Sequence, residues 1–278
     1  MAKAVFHVFT PQQFIDHIVK NNYTRKVKFI QNHHTWVPGY SHFENRPDEM
    51  YWLESMRKSH LDRGWNDIGQ NITTFPNGKI AICRPIDLTP AGIAGANTGG
   101  ICIEHLGNFD EGKDEMTPEH REAILVTNAT LCKEFNLKPD KNTVVYHHWY
   151  GGNGQRFSDS DINSGNVLKH QWQKTCPGTG FFSEPGDAFK GNTITAAEAN
   201  FYPLIKAQMQ KLVPGTAPAY MAKKVNAAKL NVRAGAGTGF AIVKTLAKDT
   251  KVSVYQSLGE WSLISTHAQE WVSSKYLI

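Results

Sequence analysis

Val27-Lys28-Phe29-Ile30-Gln31-Asn32-His33-His34-Thr35 is a short apolar run that turns into a pair of histidines. It reads as a strand ending at His33. A second β-like stretch, Thr143-Val144-Val145-Tyr146, ends at His147. A third residue of metal-binding chemistry, Cys176, sits in the polar loop Lys174-Thr175-Cys176-Pro177-Gly178, where burial alone does not call for a thiol. Two imidazoles and a thiolate are three zinc ligands, one short of the four that close a structural site, and the open position suits water. If the fold brings His33, His147 and Cys176 together, a zinc hydrolase is expected.

Outward from these strands the chain alternates helices and strands. Thr10-Pro11 caps a helix with Phe14, Ile15, Ile18 and Val19 on one face. Arg46 to Leu61 reads as a helix stopped by Gly64. Ile68 to Phe75, Pro76-Asn77-Gly78 and Ile80 to Arg84 read as a hairpin. Gly100 to Leu106 reads as a strand, Thr117-Pro118-Glu119 opens a helix, and Thr195 to Leu212 closes the domain as another. The expected fold class is α/β over residues 1–212, a mixed central β-sheet flanked by helices. Strand ends are rigid places from which His33 and His147 can be aimed.

Val213-Pro214-Gly215-Thr216-Ala217-Pro218-Ala219 has the composition of a semi-extended linker, 213–219. Residues 220–278 hold short β-like runs at Leu230-Val232, Ala241-Val243, Lys251-Val254, Trp261-Ile264 and Glu270-Val272, separated by Gly-rich turns. That spacing predicts a small all-β barrel. From Ala219 onward eight Lys or Arg (Lys223, Lys224, Lys229, Arg233, Lys244, Lys248, Lys251, Lys275) stand against Asp249, Glu260 and Glu270. This surplus of five equals the net charge of the whole chain, so the first part is near neutral. An anionic polymer is the natural partner of such a piece: nucleic acid, acidic lipid or a bacterial wall.

The four cysteines, Cys83, Cys102, Cys132 and Cys176, are scattered, which argues against a disulfide framework and fits a reducing compartment. The first three lie in apolar segments and read as small buried hydrophobes. No apolar run approaches the ~20 residues of a membrane span, so no membrane insertion is expected. Met1 to Phe9 is too short and interrupted for a signal peptide, which predicts synthesis in the cytoplasm.

Four motifs in order, Phe29-Ile30-Gln31-Asn32-His33-His34-Thr35, Gly64-Trp65-Asn66-Asp67-Ile68-Gly69-Gln70-Asn71, Gly100-Ile101-Cys102-Ile103-Glu104-His105-Leu106-Gly107-Asn108-Phe109 and Lys174-Thr175-Cys176-Pro177-Gly178, resemble the zinc amidases of bacteria and their phages, the N-acetylmuramoyl-L-alanine amidases, which share a fold with peptidoglycan recognition proteins. Leu230-Asn231-Val232-Arg233-Ala234-Gly235 and Glu270-Trp271-Val272-Ser273-Ser274-Lys275-Tyr276-Leu277 resemble the opening and close of a bacterial SH3 module. The resemblance implies a phage-type endolysin: a catalytic domain that cuts the amide between N-acetylmuramic acid and L-alanine, and an SH3-like domain that anchors it to peptidoglycan and anionic cell-wall polymers. It implies Zn2+ held by His33, His147 and Cys176, and a protein made in the host cytoplasm that acts on the cell wall; a monomer is expected. Nucleic acid as partner explains the basic tail but none of the motifs. Two alternatives stand beside this reading, a non-catalytic peptidoglycan-binding protein and a stem-peptide peptidase on the same fold; both histidines together with Cys176 favour an enzyme.

Neighbours on a strand point to opposite faces, so one histidine of each pair faces the metal, and the resemblance favours His33 and His147 over His34 and His148. His34, Gln70 and Asn71 become candidate substrate contacts. Lys174 matches a catalytic lysine of phage relatives and, as a cation, suits a developing oxyanion. Many relatives carry a tyrosine where this chain has Gln70, and an amide cannot act as a base. The best substitute is Glu104, mid-strand in an apolar stretch where burial raises a carboxyl pKa. The stretch between His147 and Cys176 is longer than in compact relatives. Its Gly-, Asn-, Ser- and Asp-rich part, residues 151–166, reads as a loop that walls one side of the substrate groove.

Overall fold

Alternating side chains build the central sheet of this protein, whose computed structural model describes residues 5–165, 167, 174–184, 186–212, 221–265 and 270–278. β1 (His7–Phe9), β2 (Phe29–His34), β3 (Ile72–Thr74), β4 (Ile80–Ile82), β5 (Gly100–His105) and β6 (Val144–Tyr146) lie in the order β1-β4-β3-β5-β2-β6. β2 runs parallel to β5 and β6, and β3 runs parallel to β5. β4 is antiparallel to β1 and β3, so the sheet is mixed.

Seven helices belong to this unit among the described residues: α1 (Pro11–Lys20), α2 (Tyr40–Asn45), α3 (Glu49–Asp62), α4 (Pro118–Glu134), α5 (Asp159–Ser164), α6 (Ile194–Ala196) and α7 (Tyr202–Lys211), the last two joined by a π-helical turn, Ala197–Phe201. Thr10 starts α1 by accepting from Gln13 N while the Gln13 side chain accepts from Thr10 N, so two otherwise orphaned donors are satisfied. On one face of the sheet, Phe14 and Ile18 of α1, Ile124 and Leu131 of α4 and Ile205 of α7 pack with Ile30, Ile72, Ile101 and Ile103. On the other, Leu53 and Met56 of α3 pack with Phe75, Ala81, Cys83 and Leu106. The period of two therefore sends Ile101 and Ile103 into the first core and leaves Cys102 and Glu104 on the opposite face.

Several boundaries differ from the sequence reading, and the arms of the expected hairpin shorten to β3 and β4. The helix expected from Arg46 begins at Glu49, because Pro47 precedes Asp48, whose carboxylate caps it by accepting from Tyr51 N. His147 does not end a strand: β6 stops at Tyr146 and His147 opens a 3-10 turn, His147–Trp149. Residues 151–166 are not all loop, since Ser158 caps α5 and Gly165, at φ 72°, ends it in the left-handed conformation that glycine takes without cost.

The chain divides into two units, Met1–Leu212 and Val213–Ile278. The expected linker, 213–219, lies outside the described residues. In the second unit β7 (Met221–Lys224) pairs with β10 (Lys251–Val254). A five-stranded antiparallel sheet runs β11-β12-β13-β8-β9, made of β8 (Lys229–Arg233), β9 (Ile242–Ala247), β11 (Gln256–Leu258), β12 (Trp261–Leu263) and β13 (Trp271–Ser273). Val225, Leu230, Val232 and Val272 form its small core. β7 and β11 escape the sequence reading because half of β7 is lysine and β11 is only Gln-Ser-Leu. Among the described residues no helix is long and apolar enough to cross a membrane.

Candidate metal centre

His33 comes from the end of β2, His147 from the turn after β6, and Cys176 from the loop beyond α5. Parallel pairing of β2 with β6 puts the first two side by side, with ring centroids 4.7 Å apart. One ligand atom from each of His33, His147 and Cys176 lies within 4.8 Å of the others. All three line a groove of about 920 Å³.

The Cys176 loop is pinned from several sides. His148 N–H donates to Cys176 O (2.8 Å), and its Nδ1–H donates to Lys174 O (2.6 Å). Asp110 accepts from Thr175 Oγ1 and from Thr179 N–H, each at 3.1 Å. Gly178 lies so close to the Phe109 carbonyl that a Cβ there would sit 2.3 Å from its oxygen, and its φ of 122° excludes most side chains in any case. The sulfur itself accepts from His34 N–H at 3.3 Å.

This donor set fits a zinc ion. His33 Nε2 is buried with no hydrogen-bond partner among the described residues, an orphaned nitrogen of the kind a metal satisfies. Burial, aided by the neighbouring His147 and Lys174 charges, holds His33 well below the usual imidazole range, and burial pulls His147 down to about 3. Both rings therefore present neutral lone pairs. Burial and the Glu104 charge push the Cys176 thiol well up, while the His34 N–H and Lys174 pull it down. A dication beside the sulfur supplies the positive charge that favours the thiolate.

Glu104 pairs with His33 across β2 and β5, and its carboxylate, His33 and Cys102 also lie within 4.8 Å of one another. Burial raises the Glu104 carboxyl to about 8, with Lys174 opposing. Lys174 is exposed and lines the groove. His34, the last residue of β2, lines it too. Its Nδ1 accepts from Phe109 N–H (3.1 Å), which puts the proton of the neutral ring on Nε2. Gln70 lines the groove but is 2% exposed, and its Nε2 donates to Thr73 Oγ1 at 3.0 Å.

Two expectations need correction. Asn71 does not reach the groove: it is fully buried, its Nδ2 donates to Pro85 O and Leu88 O, and its Oδ1 accepts from Cys102 N–H. Its amide ties β5 to the loop after β4. Nor do residues 151–165 wall the groove; Gly154 packs against Gly95, their backbones too close for a Cβ on either. The sequence reading missed Asp110; His148, which it read as structural, proves to anchor the loop. The signal for Asp110 is its position, an acid after the third motif.

The family described as N-acetylmuramoyl-L-alanine amidase matches residues 23–179, and the bacterial SH3 domain matches residues 228–278. No curated protein matches the chain. Among solved structures, the N-acetylmuramoyl-L-alanine amidase LysC from Clostridium intestinale URNW is 21% identical, covering 58% of this chain and 82% of its own, with a TM-score of 0.40. Drosophila PGRP-LB is 18% identical, covering 66% and 85%, with a TM-score of 0.44.

Proposed function

The chain belongs to the N-acetylmuramoyl-L-alanine amidase family, and from that premise we propose that it is a zinc-dependent peptidoglycan hydrolase which cuts the amide between N-acetylmuramic acid and the L-alanine of the stem peptide. The convergence of His33, His147 and Cys176 within 4.8 Å carries this reading. In it these three residues would hold the metal. Zinc supplies Lewis acidity there, which makes water more acidic and the scissile carbonyl more electrophilic. Glu104, beside His33, takes the proton of the attacking water and passes it to the leaving amine. Its raised pKa suits both halves of that transfer near neutral pH. Lys174 turns its cation to the groove, where it opposes the charge growing on the carbonyl oxygen. His34 offers Nε2–H to the substrate. Gln70, with its amide engaged by Thr73, shapes the groove floor.

Residues 1–212 are in this reading the catalytic domain, 213–219 the linker and 220–278 the domain that holds the enzyme to the bacterial wall. The match to a bacterial SH3 domain and the cationic surplus after Ala219 support that division. Mass analysis of digested sacculi tests the cut. Released peptides are expected to carry a free N-terminal alanine, to disappear with chelator and to return with added zinc. Cleavage inside the stem peptide makes the chain a peptidase; wall binding without any release makes it a binding protein.

A further inference from the structure

Trp36 follows His33, His34 and Thr35 directly and lines the same groove, yet it is 61% exposed. Its φ is 60°, in the left-handed region where a bulky side chain is strained. The turn is held there firmly. Trp36 N–H donates to Gly107 O (3.0 Å), Thr35 N–H to His105 O (3.0 Å), and Thr35 Oγ1 to Pro38 O (2.6 Å). The fold thus keeps a large apolar ring in solvent on a strained backbone, and strain of this kind collects where a site uses it.

What the ring can receive follows from its surroundings. Every backbone donor from Thr35 to Tyr40 is engaged: besides the two above, Val37 N–H donates to Thr35 O, Gly39 N–H to His42 Nδ1 and Tyr40 N–H to Asp114 Oδ2, and Pro38 has none. A peptide strand laid here finds no N–H to pair with. A flat ring finds a flat indole, whose Nε1–H has no partner among the described residues. The other two indoles of the groove are occupied: Trp52 Nε1–H donates to Arg46 O, and His60 stacks on Trp65 at 4.5 Å. A pyranose has an apolar C–H face and a rim of hydroxyls, which a free indole face and its N–H complement.

We propose that Trp36 stacks on the sugar ring of the substrate and so positions the scissile amide at the candidate metal centre. The proposal rests on the amidase reading, in which a lactyl ether only a few bonds long joins that sugar to the scissile carbonyl. At a strand rise of ~3.3 Å per residue, Trp36 lies at most about 10 Å along the chain from His33, within reach of a ring tethered so closely.

The test uses two soluble substrates with one stem peptide, the first carrying N-acetylmuramic acid and the second only its lactyl group. Trp36→Asn replaces the indole with a residue that tolerates the left-handed turn, and Trp36→Phe keeps an aromatic face. The ratio of kcat/KM for the sugar-bearing over the sugar-free substrate is expected to fall about tenfold in Trp36→Asn, through KM, and to be largely retained in Trp36→Phe. A thermal melt of Trp36→Asn no lower than wild type accompanies that result, since the strained indole leaves the turn. A ratio unmoved in Trp36→Asn overturns the stacking role while leaving the amidase reading intact. So does a loss that scales with stem-peptide length, which assigns the platform to the peptide. A wild-type chain that cleaves neither substrate overturns both.

Discussion

Cys176 owes its position to bonds made by its neighbours more than by its sulfur. His148 holds the carbonyls of Lys174 and Cys176, and Asp110 holds Thr175 and Thr179. The candidate ligands can therefore be changed without dismantling the loop. Cys176→Ser and His147→Ala are expected to lose bound zinc and lytic activity yet unfold cooperatively on heating; lysis by either variant with zinc still bound counts against the assignment. Glu104→Gln keeps the shape of the side chain and removes the proposed base. Its kcat is expected to drop by about 10²–10⁴ with zinc content unchanged, and a drop of less than tenfold moves the proton transfer to another group.

At the scale of elements, one buried chain of hydrogen bonds ties the sheet to its helices directly behind the groove. Tyr40 Oη meets His120 Nδ1 (2.7 Å), His120 Nε2 meets Thr74 Oγ1 (2.7 Å), Thr74 Oγ1 meets His105 Nδ1 (2.8 Å), and His105 Nε2 meets Asn32 Oδ1 (3.0 Å). Asn32 and Asn128 exchange their amides. Asn32 Oδ1 only accepts, so His105 carries its proton on Nε2; Thr74 then donates to His105 Nδ1 and accepts from His120, and Tyr40 donates to His120 Nδ1. Both rings are neutral in this arrangement. Thr74→Val leaves two buried ring nitrogens without partners and is expected to cost about 1–3 kcal/mol by urea unfolding. Burial lowers His120 from 6.5 to about 3, and burial with the His120 and His34 charges lowers His105. A folded-state pKa below the unfolded one means that the unfolded chain takes up protons first. Stability is thus full above pH 6.5 and falls as the pH drops toward about 3, by about 1.4 kcal/mol per pH unit for His120. Urea midpoints that do not move between pH 7 and pH 5 contradict this.

At the scale of the whole molecule, the first unit has two apolar cores and holds the candidate centre, and the second carries the charge. Among its acids, Asp249 pairs with Lys224 and Glu270 with Lys244, exposed contacts that salt weakens. Removing residues 213–278 is expected to leave cleavage of soluble muropeptides in place and to abolish the salt-sensitive part of wall association, read by sedimentation with purified walls at low and high ionic strength. Equal sedimentation of the truncated and intact chains excludes an anchoring role for the second unit.

The amino-acid order alone determined much of this. Period-two and helical patterns, together with Thr10 and Thr117 as caps, laid out the α/β first unit and the β-rich second one, because burial period and capping are local properties. Motif order named the residues of the candidate centre. Other features were decided only by tertiary structure. The short α2, the orphaned His33 Nε2, the inward turn of Asn71 and the packing of Gly154 on Gly95 depend on contacts between segments far apart in the chain. So does the outward, strained placement of Trp36, which hydrogen bonds to His105 and Gly107 enforce. A residue's own chemistry shows what it is able to bind; which of its atoms are already engaged is settled by partners that local sequence does not contain.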